Sequence, residues 1–286
     1  EGVEYSSIGE LSTCSCPSQV FSRDFNGDDI ADLAVLPCLD VFLGNGNSGV
    51  GDATFSPLVN PNVDSWALNA YSAAFADVDA DGIMDVVTGE QGRLRVGYGA
   101  SNSGEGEGAF SEFSGYYACG AGVYSLDVAD LNADGAVDVV VSTGAIPGFS
   151  IIWGKTPPSN RMDRFVAAPS YPSNGLDASS LFPTDVNNDN ILDILSANSL
   201  SAAVILGNGS DGVGDGTFPY HGKYSSSAYG FTIAIEDFNM DGFVDIAYAP
   251  TSGSSSQIAV YNGTGSGDPS VSFYPPTFYT VEGYVT

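Results

Sequence analysis

Positive charge is what the sequence has least of. Seven lysines and arginines stand against thirty-five aspartates and glutamates in 286 residues, a formal net charge of −28, and there is a single histidine. A chain of that sign repels nucleic-acid phosphates and anionic lipid surfaces, so neither is an expected partner. No apolar stretch reaches the roughly 18 residues that a membrane-crossing helix needs, which argues against membrane insertion. Nor does any window combine helical periodicity with matched caps. The four cysteines, Cys14, Cys16, Cys38 and Cys119, lack the paired CxxC spacing of a zinc site, and one histidine cannot supply the rest. They read instead as two disulfides tying the N-terminus to the first half of the chain, with the pairing left open. The chain begins at Glu1 with no basic segment followed by an apolar run, as a processed, secreted protein would.

What is present is apolar and turn-rich. Hydrophobic residues make up 43% and aromatics 12%, enough to fill a substantial core, and 36 glycines with 15 prolines imply many turns between short strands. The acids are not scattered. Asp24-Phe-Asn26-Gly-Asp28-Asp29-Ile30-Ala-Asp32 recurs from Asp77, from Asp130, from Asp185 and from Asp237, at intervals of 53, 53, 55 and 52 residues. Positions 1, 3, 5 and 9 of every copy hold Asp or Asn. These are Asp24, Asn26, Asp28 and Asp32; Asp77, Asp79, Asp81 and Asp85; Asp130, Asn132, Asp134 and Asp138; Asp185, Asn187, Asp189 and Asp193; and Asp237, Asn239, Asp241 and Asp245.

Such hard oxygen donors suit Ca2+. Position 6 is Asp29, Gly82, Gly135, Asn190 or Gly242, residue types that tolerate a left-handed backbone. A turn there would aim the position 7 carbonyls of Ile30, Ile83, Ala136, Ile191 and Phe243 at the ion. Positions 2 and 10 are apolar in every copy and would anchor each loop to a core on both sides. The copies are not EF-hands, which need an acid at position 12; here that place holds Val35, Thr88, Val141, Ser196 and Tyr248. Five bound Ca2+ would set ten positive charges against the sixteen aspartates at the four donor positions. Identical sites in every repeat are what a scaffold needs, so the calcium is expected to be structural.

The remainder of each repeat reads as strands. A β-branched run follows each loop, then a third strand such as Val41–Leu43, Leu94–Tyr98, Ile151–Trp153, Val204–Leu206 or Ile258–Tyr261, then a glycine-rich turn and a fourth. Four strands in about 50 residues, repeated, make a propeller blade. The expectation is an all-β propeller in one domain, with blades at about 14–66, 67–119, 120–174, 175–226 and 227–276. Residues 1–13 and 277–286 are expected to be surplus strands that close the ring or exchange with a neighbouring molecule, which would make the chain its own partner.

The loop spacing resembles the FG-GAP repeats of the integrin α-subunit propeller. The phrases Leu206-Gly-Asn-Gly209 with Asp215-Gly-Thr-Phe218, and Leu43-Gly-Asn-Gly46 with Thr54-Phe55, resemble the related VCBS-type repeats. The resemblance covers about residues 14 to 275. It implies calcium in each loop, an extracellular setting, and adhesion or recognition of glycans or extracellular proteins. Integrin-like propellers have seven blades, whereas this chain has room for about five and a half, so either a compact five-bladed ring or a ring completed by another subunit is expected.

Other features are weaker. His221 and Lys223 lie with Tyr220 and Tyr224 in a segment that reads as a blade-edge turn, although a polysaccharide lyase would use such groups, and acid pairs for a hydrolase abound. Arg93, Arg95, Arg161 and Arg164 are too few to define an anionic-substrate site. Trp66, Trp153, Tyr71, Tyr116 and Tyr117 read as blade packing before sugar stacking. Asn208 and Asn262 head N-glycosylation sequons in glycine-rich turns. No catalytic constellation stands out, and a non-enzymatic module is the expected function, with a carbohydrate-active enzyme as the alternative.

Overall fold

β-Branched runs of four to ten residues, cut by glycine and aspartate, give five antiparallel sheets of four consecutive blade strands each, with a small hairpin of Gly209–Ser210 and Val213–Gly214 set between the third and fourth strands of the fourth. The computed structural model describes residues 17–58, 70–102, 105–113, 117–118, 122–143, 148–155, 164–172, 180–197, 201–225, 232–249, 257–268 and 272–280. The first sheet is Gln19–Arg23, Asp32–Leu36, Asp40–Asn47 and Val50–Leu58. The second is Ser72–Ala76, Asp85–Glu90, Arg93–Asn102 and Glu105–Phe113, with Tyr117–Ala118 added to its third strand. The third is Val123–Ala129, Asp138–Thr143, Gly148–Gly154 and Phe165–Pro172. The fourth is Ser180–Thr184, Asp193–Ala197, Ser201–Leu206 and Tyr220–Ser225; the fifth is Thr232–Glu236, Asp245–Ala249, Gln257–Tyr261 and Thr277–Thr280. These are the blades of the all-β, five-bladed propeller class. Each aspartate-rich loop joins the first and second strands of its blade.

Two expectations need correcting. Thr277–Thr280 is not a surplus strand: it pairs with Gln257–Tyr261 as the fourth strand of blade 5. The nearer segment cannot take that place, because after the isolated bridge between Gly263 and Phe273 the chain passes through Pro275 and Pro276, which lack the amide hydrogens a ladder needs. His221 and Lys223 lie not in a turn but on the fourth strand of blade 4, opposite Ile205 and Ala203. Residues 1–13 and 281–286 lie outside the described residues.

The chain divides into two compact units, Glu1–Ala118 with Asn160–Arg164, and Cys119–Ser159 with Phe165–Thr286. Blades 1 and 2 build the first around Phe25, Leu36, Val41, Phe75, Val86 and Phe110. Blades 3 to 5 build the second around two clusters. One gathers Leu131, Val140, Ile151, Ile194 and Phe218; the other gathers Val186, Leu195, Val204, Ile246 and Phe273. The position 10 residues Val86, Val139, Ile194 and Ile246 are wholly buried, as their place between loop and core demands, and Leu33 is half-buried.

Candidate metal loops

The five loops share one hydrogen-bond pattern. The position 1 carboxylate receives the amide hydrogen of position 6 at 2.8 Å in every copy, from Asp29 to Asp24, Gly82 to Asp77, Gly135 to Asp130, Asn190 to Asp185 and Gly242 to Asp237. The position 5 carboxylate receives the position 7 amide at 2.8 to 2.9 Å in every copy. Where position 3 is Asn, its side-chain oxygen receives the position 5 amide, at 2.8 to 3.1 Å. The loop is thereby wound around its own carboxyl groups before any ligand arrives.

Winding it this tightly requires left-handed residues at two places. Position 6 has φ between 64° and 90° in all five loops, as its residue types suggest. Position 4 is also left-handed, at Gly27, Ala80, Ala133, Asn188 and Met240, with φ between 54° and 79°. Residue type does not predict this, because those five residues have nothing chemical in common.

Position 9 does something the ligand pattern alone did not reveal. Asp32, Asp85, Asp138, Asp193 and Asp245 are fully buried. In each, one carboxylate oxygen receives the position 2 amide, from Phe25, Val78, Leu131, Val186 or Phe238, at 2.8 to 3.0 Å. The other receives the amide of a glycine on or just after the third strand, Gly44, Gly99, Gly154, Gly207 or Gly263, at 2.7 to 2.8 Å. Each is therefore a clasp between the loop and the third strand.

The glycine is required by space. A Cβ at Gly207 would stand 2.4 Å from the Leu192 carbonyl oxygen and 2.9 Å from the Ile191 side chain, and the other four meet their loops in the same way. Gly207→Ala should therefore cost about 1–3 kcal/mol by overpacking. Urea unfolding checks this, and an unchanged midpoint would show that the loop yields freely.

Burial acts on the clasp carboxyls. Desolvation, assisted by the neighbouring loop carboxylates and opposed by the two amide bonds, pushes Asp85, Asp138 and Asp193 up to about 7 from 3.8 and raises Asp32 as well. In metal-free protein these groups hold protons that the unfolded chain has already released between those values. Their contribution to stability is complete below about pH 4 and disappears as pH rises through about 7. Dialysed, metal-free protein should melt at a lower temperature at about pH 8 than at about pH 5; a rise over that interval would contradict the linkage.

Loop 2 alone carries Asp at position 3. Side-chain oxygens of Asp77, Asp79 and Asp85 lie within 4.8 Å of one another, a donor set of the hard-oxygen kind that divalent calcium takes. The buried Arg164 reaches the same loop, donating to the Asp79 carbonyl at 3.1 Å with its guanidinium 4.0 Å from the Asp79 carboxylate. In the other loops an Asn side-chain oxygen takes the place of the third carboxylate.

The remaining singled-out residues scatter. Cys38 is buried and disulfide-bonded; Cys14, Cys16 and Cys119 lie outside the described residues. So do Trp66, Tyr116 and Arg161. Tyr71 is exposed, and Trp153 is half-buried with Gly216 packed against its ring. Asn208 and Asn262 are exposed, and the Asn208 side-chain amide donates to Asp215 at 2.7 Å.

The FG-GAP-like repeat family matches residues 185–248, the span from loop 4 through loop 5. The chain carries an FG-GAP-like repeat. The matched span holds two of the clasped loops, and the same bonds recur in loops 1 to 3, so the FG-GAP-type architecture extends beyond the matched residues. No curated protein matches the chain. Among solved structures, it is similar to an Agrocybe aegerita lectin that recognises non-reducing terminal N-acetylglucosamine, with 19% identity and a TM-score of 0.59. That likeness covers 92% of this chain and 66% of the lectin, just under two thirds of its length, and it bears on the fold alone. The V. cholerae biofilm matrix protein Bap1 is similar at 15% identity and a TM-score of 0.41, over 85% of this chain and 37% of Bap1, a level that carries no argument.

Proposed function

We propose that this chain is a calcium-stabilised, non-enzymatic propeller that recognises glycans outside the cell. The observation that carries the reading is the repetition of one clasped loop in all five blades, with position 1, 3, 5 and 9 oxygens in every copy. An active site would single out one blade, whereas a scaffold repeats its fastening. In this reading the loop carboxylates and the position 7 carbonyls hold one Ca2+ per loop, and the ion neutralises clustered acids that would otherwise repel one another. The extracellular setting accords with the acidic composition and the cysteine usage, and among the described residues no helix is long and apolar enough to cross a membrane.

Glycan recognition is favoured over protein recognition because the lectin shares the fold over almost the whole chain. No specific observation favours a lyase or hydrolase. A glycan array probed in calcium, and again with chelator, tests the reading. Selective, calcium-dependent binding to a family of related glycans is expected. Binding to none, together with turnover of a polysaccharide, would overturn it in favour of the enzyme.

A further inference from the structure

Loop 2 departs from its four counterparts at position 3, which is Asp79 where the others have Asn26, Asn132, Asn187 and Asn239. Asp79 is also placed differently. It is buried, whereas Asn26, Asn132 and Asn187 are half-buried and Asn239 is exposed. Putting Asp in place of Asn at a buried position adds a charge that burial penalises, unless a partner of opposite sign is brought to it.

Arg164 is that partner. It belongs to the same compact unit as loop 2 and lies 85 residues further along the chain from Asp79. Only 5% of its surface is exposed, although a guanidinium is ordinarily left in water. Two hydrogen bonds hold it. Its backbone amide donates to the Tyr117 hydroxyl at 3.2 Å, and Tyr117 is itself paired with Leu94 of blade 2. Its Nη2 donates to the Asp79 carbonyl at 3.1 Å, and the same nitrogen stands 4.0 Å from the Asp79 carboxylate. The second distance is too long for a hydrogen bond, so there the attraction is one of charge. The Arg164 Nε is buried with no hydrogen-bond partner. Its burial costs free energy that hydrogen bonding does not return, and attraction to the loop carboxylates offsets that cost.

The charges match. Over positions 1, 3, 5 and 9, loop 2 has four aspartates and each other loop has three. One arginine against four aspartates leaves the charge of three. Loop 2 with Arg164 thus offers a divalent ion the net charge of a loop that has Asn at position 3, but with one more carboxylate among its donors. Three of those carboxylates, on Asp77, Asp79 and Asp85, bring oxygens within 4.8 Å of one another.

We propose, on the reading that the loops hold calcium, that Arg164 is the resident counter-ion of loop 2 and sets how tightly that loop takes the ion. The arginine weakens this one site while it stabilises the site's metal-free form. Without it, four carboxylates would attract the ion more strongly and repel one another more strongly in its absence. A purely structural residue would act the other way, because its loss would spoil the donor set and loosen the ion.

Nuclear magnetic resonance reads the loops separately. The position 6 amides of Gly82, Gly135 and Gly242 each donate to the position 1 aspartate of their own loop, so their resonances report loops 2, 3 and 5 one at a time. Calcium is titrated into isotope-labelled, metal-free protein below its melting temperature. Arg164→Gln should move the Gly82 midpoint to about tenfold lower calcium and leave those of Gly135 and Gly242 in place. Asp79→Asn leaves the arginine uncompensated and should move the Gly82 midpoint to about tenfold higher calcium. In the double variant the midpoint should return close to that of Gly135, since loop 3 has the same donor types. The double variant buries no lone charge, so it serves as the test should Arg164→Gln fail to fold. A Gly82 midpoint that Arg164→Gln leaves unchanged or raises would overturn the proposal, as would a double variant that binds no tighter than Asp79→Asn. Failure of the calcium reading looks different: none of the three wild-type resonances would respond to calcium, and the proposal would fall with it.

Discussion

Removing calcium should lower the melting temperature by roughly 15–30 °C. A site held at about a hundredfold excess over its Kd contributes about 2.7 kcal/mol. Three loops lie in the second compact unit, so that unit would lose about 8 kcal/mol, a large part of the roughly 5–15 kcal/mol that ordinary domains possess. At about 2–4 °C per kcal/mol for a unit of this size, the shift follows. The direction rests on the loop electrostatics. Each loop gathers three or four aspartates at positions 1, 3, 5 and 9, and the whole chain has only seven lysines and arginines to set against thirty-five acids. Among the described residues, Arg164 stands against Asp79 in loop 2. Scanning calorimetry in calcium and in chelator measures the shift, and coincident transitions would contradict a structural role for the ion.

Asp193→Ala should destabilise the protein by about 2–6 kcal/mol whether or not calcium is present. The substitution strips the acceptor from two amides, those of Val186 and Gly207, and an orphaned buried amide costs about 1–3 kcal/mol. Asp193→Asn keeps the shape and one acceptor oxygen, and should cost about half as much. The informative control is Asp189→Ala in the same loop. Asp189 is exposed, and its loss removes a proposed calcium donor and two local bonds, from the Ile191 amide and the Asn187 side-chain amide. It should destabilise the calcium-loaded protein and leave the metal-free protein nearly unchanged, because it also removes a like charge from the cluster. Urea unfolding of both variants in calcium and in chelator separates a clasp from a ligand. If Asp193→Ala cost stability only in calcium, position 9 would be a ligand and no clasp.

The aspartate-rich loops could be read from the chain because their acids and amides repeat as side-chain types at fixed offsets within nine residues. The clasp could not, since the glycine that completes it lies 12 to 18 residues downstream at a distance that varies from blade to blade. A signal was nonetheless there: each apolar third-strand run is followed by glycine, at Gly44, Gly99, Gly154 and Gly207 directly and at Gly263 after Asn262. The left-handed position 4 left no trace, because a wound loop can hold Ala80 or Met240 at positive φ when its amide bonds leave no other path. Thr277–Thr280 was misplaced for a different reason. Its partner, Gln257–Tyr261, is separated from it by a long connection, and sequence proximity favoured the segment before Pro275.

Calcium bound per chain, measured by equilibrium dialysis on wild type and on the five variants in which the position 1 aspartate of one loop becomes alanine, tests the central claim most directly. The account predicts about five ions for wild type, one per loop, and one fewer for each variant. Binding of none, or a wild-type count that no loop variant lowers, would contradict it.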